Sequence, residues 1–222
     1  MISRLPAWVW FGAGLLACVA GTVNAVALMG LDHQAVSHVT GSAARVGLGL
    51  AGATPGPYGQ LAALVAAFLV GAALSGALIG SSALVFGRTY GVALLVEASM
   101  LALCVPLLER GLFAGELLAA AACGLQNAMA TTYSGAVVRT THVTGVVTDL
   151  GLALGHALRG SGLDRRRVTL HATLLTGFVL GAALGGLGWA RWGYAALLGP
   201  ALVCATAGAG YMLLRTLRRV PY

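Results

Sequence analysis

SHVTGSAARVGLGL (residues 37–50) and THVTGVVTDLGLAL (residues 141–154) carry the same tetrapeptide, HVTG, inside otherwise apolar, glycine-rich runs. Working outward, GTVNAVA (21–27) precedes the first copy and GLQNAMA (124–130) precedes the second. FLVGAALSG (68–76) and FVLGAALGG (178–186) follow them, and RTYGVALL (88–95) matches RWGYAALL (191–198) more loosely. The matches keep one order, which reads as a tandem duplication: a first repeat over 1–109 and a second over 110–222. Matches in Gly, Ala and Leu come cheaply in such a chain. The paired His, Thr and Asn do not.

The chain has 222 residues, of which 59% are hydrophobic and only 9% charged, with a mean hydropathy of +0.89. A soluble domain carries about 25% charged residues, and apolar runs long enough to cross a bilayer recur here. This is the composition of a multi-pass membrane protein. The net charge is +7 and the chain contains no lysine, so every basic residue is an arginine. RGSGLDRRR (159–167) and RTLRR (215–219) read as cytoplasmic ends under the positive-inside rule, suited to anionic lipid. A nucleic-acid partner is not expected, because no extramembrane domain presents these clusters. Cys18, Cys104, Cys123 and Cys204 have no CxxC spacing and read as buried small hydrophobes. No metal or other cofactor is expected. The apolar run after MISR resembles a secretory leader, but Asn24 matches Asn127, which argues that it is retained as a helix.

The expected fold is an all-α membrane protein with six transmembrane helices and two short broken or re-entrant helices. The first repeat places helices near 7–29, 60–86 and 89–108, with a short helix near 40–53. The second places them near 112–132, 168–190 and 194–214, with a short helix near 144–158. If the HVTG segments are re-entrant, each half crosses three times and the halves are inverted; if they cross, the repeat is parallel. The inverted arrangement is favoured, because DHQAVSH and YSGAVVRTTH are poor in helix signals. Thr40 or Ser42, and Thr144, are expected as N-caps of the helices that follow.

His38, Ser42 and Arg45 fall on one face of such a helix, and His142 and Asp149 repeat the outer spacing. Arg45 and Asp149 occupy equivalent positions with opposite charge, so a pseudo-two-fold axis is expected to pair them near the midplane. Asn24, Gln126, Asn127 and Thr131 are expected to face the same space. With Thr40 and Thr144, these residues form the candidate substrate site or pathway, because ionisable residues are expensive to keep in a membrane. Each also has a structural reading. Asn24 and Asn127 can satisfy the irregular backbone of the neighbouring segment, and Arg45 with Asp149 can dock the halves. Glu97 has no acidic equivalent and reads as a proton site or a bond to a neighbouring helix. His171 is expected near the cytoplasmic interface, and Asp32 and His33 in a loop. Ala72, Gly76 and Gly80, like Gly177, Gly181 and Gly185, form small faces for helix packing; a homodimer contact is their second use.

GTVNA, SHVTGS, GLQNA and THVTG together resemble the YoaK-like family, bacterial inner-membrane proteins without an assigned function. The resemblance covers nearly the whole chain and implies six helices with an internal repeat. Many members of that family carry Asp at the position of Asn24 and Asn at that of Ser42, so a proton-coupling role there is placed in doubt for this chain. The expected function is a transporter or channel for an unidentified small polar or anionic metabolite, in the bacterial inner membrane with both termini cytoplasmic. No catalytic residue is expected: GxSxG, HExxH and P-loop patterns are absent. His142 and Asp149 would stand about 10 Å apart along a helix, too far for a base and its orienter. A membrane-embedded enzyme and an assembly subunit are the alternatives.

Overall fold

The computed structural model describes residues 7–30, 34, 36–53, 55–80, 88–135 and 138–218. All the regular structure among them is helical: α1 (Ala7–Gly30), α2 (Val39–Leu50), α3 (Tyr58–Ile79), α4 (Arg88–Glu109), α5 (Phe113–Tyr133), α6 (Val143–Leu158), α7 (Arg165–Trp192) and α8 (Leu198–Arg218), with a short 3-10 helix at Gly193–Leu197. Asp32, His33 and the expected end of the third helix at 81–86 lie outside the described residues. Among the described residues four helical stretches are long and apolar enough to cross a membrane: Val9–Gly30, Tyr58–Ile79, Arg88–Glu109 and Arg165–Leu213. The last has 49 residues and would extend roughly 74 Å as one rod at 1.5 Å per residue, more than twice a bilayer core of about 30 Å. It is broken at Gly193, whose φ of 56° is open to glycine without a Cβ penalty. α2 has 12 residues and α6 has 16, roughly 18 and 24 Å. Neither reaches across.

Glycine sets how the long helices meet. α1 runs alongside α7 in the same direction: Gly14 lies against Thr173, Gly21 against the Phe178 carbonyl, and Gly30 against Trp189. α3 meets α5 through the corresponding residues, since a Cβ on Gly124 would strike the Phe68 carbonyl and one on Gly71 the Ala121 carbonyl. Gly181 likewise faces the Cys18 carbonyl. Such backbone-to-backbone approach gives van der Waals packing where lipid supplies no hydrophobic drive. α4 and α8 are antiparallel, with Gly91 and Gly208 each facing the other's carbonyl. α4 turns directly into α5 at Gly111, φ 67°, where Leu112 N–H reaches back to the Leu107 carbonyl, a helix stop that glycine makes cheap.

In the first half the expected small face falls one residue out of register. Gly71 and Ser75 are buried on α3, while Gly76 is exposed with open space beside it. A stripe of small residues has several registers along one helix, and the neighbour's position selects among them. In the second half Gly177, Gly181 and Gly185 lie against α1 within the same chain.

The short helices are peripheral. Among the described residues the backbone of α2 comes close only to α3 and that of α6 only to α7. α2 buries no residue and α6 buries only Val146.

Candidate functional site at the α6–α7 seam

The two HVTG segments take nearly the same backbone conformation. His38 (φ −83°, ψ 58°) and His142 (φ −91°, ψ 55°) are the N-cap residues, and neither makes a side-chain capping bond. Their carbonyls accept from Ser42 N–H and Val146 N–H, both at 3.1 Å. The expectation that Thr40, Ser42 or Thr144 caps these helices is therefore overturned. The helices begin earlier because the preceding backbone is held. Asn24 Oδ1 accepts from Ser37 N–H at 3.3 Å and from Ser37 Oγ at 2.9 Å. Asn127 Oδ1 accepts from Thr141 N–H at 3.5 Å, the edge of hydrogen-bond range. With the chain fixed there, helix starts two residues later in both halves. Thr40 and Thr144 lie inside the first turn and are exposed. The His142 ring lies over Gly145, where a Cβ would strike it, so the glycine of the second HVTG makes room for its histidine.

The remaining candidates divide between bundle and periphery. Gln126 donates to the Leu16 carbonyl at 2.7 Å, tying α5 to α1, and Thr131 bonds the Asn127 carbonyl one turn back at 2.7 Å. His38, Arg45 and His142 are exposed, and Ser42 is half-buried on α2. The structure does not join them to Asn24 or Asn127.

The Arg45–Asp149 pair does not form. Asp149 Oδ1 instead accepts from Arg167 Nη2 at 2.8 Å, and its Oδ2 lies 3.4 Å from His171 Nε2. The reason is placement. Among the described residues α2 lies against α3 and α6 against α7, with no close approach of α2 to α6, so the two equivalent positions do not meet. Arg167 and His171 are one turn apart on α7 and face α6 across the short loop 159–164. The i, i+4 spacing was the available signal, but its partner could be named only by knowing which helix α6 folds against. Asp149 and Arg167 are partly exposed, whereas His171 is buried and its Nδ1 has no partner among the described residues. Beside the cluster lies a polar cavity of about 430 Å³, lined in part by Asp149, His156, Ser161, Asp164 and Arg167. Asp164 also caps α7, accepting from Arg167 N–H at 3.1 Å. The Asp149 carboxylate and the Arg167 guanidinium thus share one open cavity with the His156 imidazole at a helix seam, able to exchange their mutual contact for those of a charged solute.

Two further polar residues were legible only in part. Glu97 is fully buried on α4, hydrogen-bonded to the Cys204 thiol of α8, so it does bond a neighbouring helix. Its Oε2 has no partner among the described residues. Thr22, not singled out by sequence, donates to the Gly181 carbonyl at 2.9 Å and bridges α1 to α7.

Residues 12–210 match a family described as a protein of unknown function, DUF1275. The chain belongs to the DUF1275 family. No curated protein matches it, and no solved structure does. The family match spans α1 through most of α8, so all eleven sequence-proposed site residues of this DUF1275 chain, together with Arg167 and His171, fall inside it.

Proposed function

We propose that this protein is a multi-pass transporter or channel for a small polar or anionic metabolite, built as two inverted halves of three crossings each. The Asp149–Arg167–His171 cluster and its cavity carry this reading, because ionisable side chains on membrane helices are retained at a cost that function offsets. Several observations support the inverted design. α1 parallels α7 as α3 parallels α5, through corresponding glycines, and α2 and α6 are too short to cross. α1 opposes α5: Gln126 bonds Leu16 near one end, while Val23 and Val26 cluster with Ala119 and Ala120 towards the other. Six crossings then put the start of α4, the start of α7 and the end of α8 on one side. Arg88, Arg165, Arg166, Arg167 and Arg218 accumulate there, and the positive-inside rule makes that side cytoplasmic, with both termini on it. The cavity opens towards that side of an inner membrane.

The cluster favours transport over catalysis. It holds charge partners for a solute, while His142, at the start of α6, stands about two turns from Asp149. An assembly subunit is the second reading, favoured by Asn24, Gln126, Asn127 and Thr131, whose side-chain bonds all go to the protein's own loops and helices. A homodimer remains part of that reading, with the exposed Ala72–Gly76 side of α3 as its contact. The YoaK-like resemblance supplies no substrate.

Thermal stabilisation of the purified protein across a metabolite library tests the proposal. Transport predicts reproducible hits that Asp149→Asn and Arg167→Gln each weaken at least tenfold in apparent affinity, without chemical turnover. Hits insensitive to both substitutions would move the site elsewhere, and turnover of a hit would make the protein an enzyme.

A further inference from the structure

Two cavities flank the seam between α1 and α8, and unlike the one beside the charged cluster both are lined almost wholly by carbon. The inner one, about 100 Å³, lies among the beginnings of α1 and α4 and the ends of α5 and α8, lined in part by Gly12, Leu16, Leu94, Met129 and Ala207. The outer one, about 320 Å³, lies between α1, α7 and α8 and includes Val19, Leu184, Gly199 and Val203. Leu15 borders both. They exist because α1 and α8 touch only sparsely, whereas their counterparts α5 and α4 pack along much of their length, held together by the turn at Gly111.

An apolar cavity of this size stays dry and takes apolar occupants, and within a bilayer the surrounding solvent is hydrocarbon. The inner cavity ends at Tyr90, Tyr133 and Tyr211. Tyr211 also lies beside Tyr133 at this end, and the Tyr90 and Tyr133 rings meet edge to face with centroids 4.9 Å apart. Amphipathic aromatic rings of this kind settle at the boundary between chain and head group. Arg88 opens α4 two residues before Tyr90, and α7 opens with Arg165, Arg166 and Arg167 at the same end of the bundle. Such a basic rim attracts anionic lipid.

The geometry points to a lipid-binding slot along the α1–α8 seam, which takes one acyl chain of an anionic phospholipid with its head group at the tyrosine and arginine end. This goes beyond the transport reading, since none of the residues lining the two cavities belongs to the α6–α7 cluster; only Arg167, at the basic rim, is shared with it.

Nanodiscs containing phosphatidylglycerol with a photoactivatable acyl chain test the slot, with crosslinked residues mapped by mass spectrometry. Crosslinks are expected at Gly12 to Leu16 and at Ala207. Gly12 has open space beside it, so Gly12→Leu fills the slot without a backbone clash and should reduce those crosslinks at least tenfold. Gly199→Leu, equally unobstructed, should do the same from the outer cavity. Gly186→Leu, open but away from both cavities, should leave them unchanged. Ala207→Leu gives a second reading of the inner cavity if Gly12→Leu does not fold. Phosphatidylcholine with the same chain should label the slot several-fold less. Undiminished labelling in the filled variants, labelling confined to the outer faces of α3 and α7, or equal labelling by both lipids would overturn the proposal.

Discussion

Asn24 is the residue on which most local structure depends. Its Nδ2 donates to the Ala20 carbonyl at 2.8 Å while its Oδ1 receives Ser37, all of it buried. Asn24→Leu keeps the volume but strands the Ser37 N–H and hydroxyl, and an unsatisfied buried group costs about 1–3 kcal/mol. The loss should appear as a lower Tm in detergent, and Asn127→Leu should cost less, because its bond to Thr141 is longer and only partly buried. Equal losses would remove the distinction. Asp149 and Arg167 behave differently: with side chains 33% and 46% exposed, their pairing contributes only about 0.2–1 kcal/mol. A double-mutant cycle on Asp149→Asn and Arg167→Gln should return a coupling in that range. The same cycle on Asp149→Asn and Arg45→Gln should return none, since those residues do not meet.

At the level of elements, the helix contacts are set by missing side chains. Gly21→Ala drives a methyl into the Phe178 carbonyl and Gly124→Ala into the Phe68 carbonyl. Overpacking of this kind costs about 1–3 kcal/mol, so both variants should melt earlier by similar amounts. Gly76→Ala, on the stripe that sequence favoured but with nothing near its missing Cβ, should be neutral or gain up to about 1 kcal/mol from helix propensity. Destabilisation by Gly76→Ala in a monomeric preparation would show that the first-half stripe had been read in the wrong register here. If it appeared only on dilution, a dimer contact at that face would be its cause.

For the whole molecule, the proposed six crossings with inverted halves make a sharp topological demand. Reporters fused after the α4–α5 turn at Gly111 should report the outside, and those at Ser161 and beyond Arg218 the cytoplasm. A cytoplasmic signal at Gly111 would overturn the inverted arrangement, because in that design only α5 crosses between Gly111 and the α6–α7 loop, which puts the two on opposite sides. The arginines at the starts of α4 and α7 supply the orienting charge, so replacing Arg165, Arg166 and Arg167 together should weaken the bias and give mixed reporter signals.

The sequence by itself determined membrane residence, the positions of the long helices, the two short HVTG helices and the repeated Asn that supports them. These follow from hydropathy, helix length and residue identity, all properties of a continuous stretch of chain. Only the tertiary structure decided that His38 and His142 stand at the caps, that Gly71 rather than Gly76 meets α5, and that Asp149 pairs with Arg167 rather than Arg45. Each of those depends on which helix lies alongside: glycine stripes admit more than one register, and a charge takes the nearest opposite charge. α6 folds back on α7 through a short loop and buries little else, so the partner of Asp149 comes from its neighbour in space and not from its equivalent in the proposed repeat.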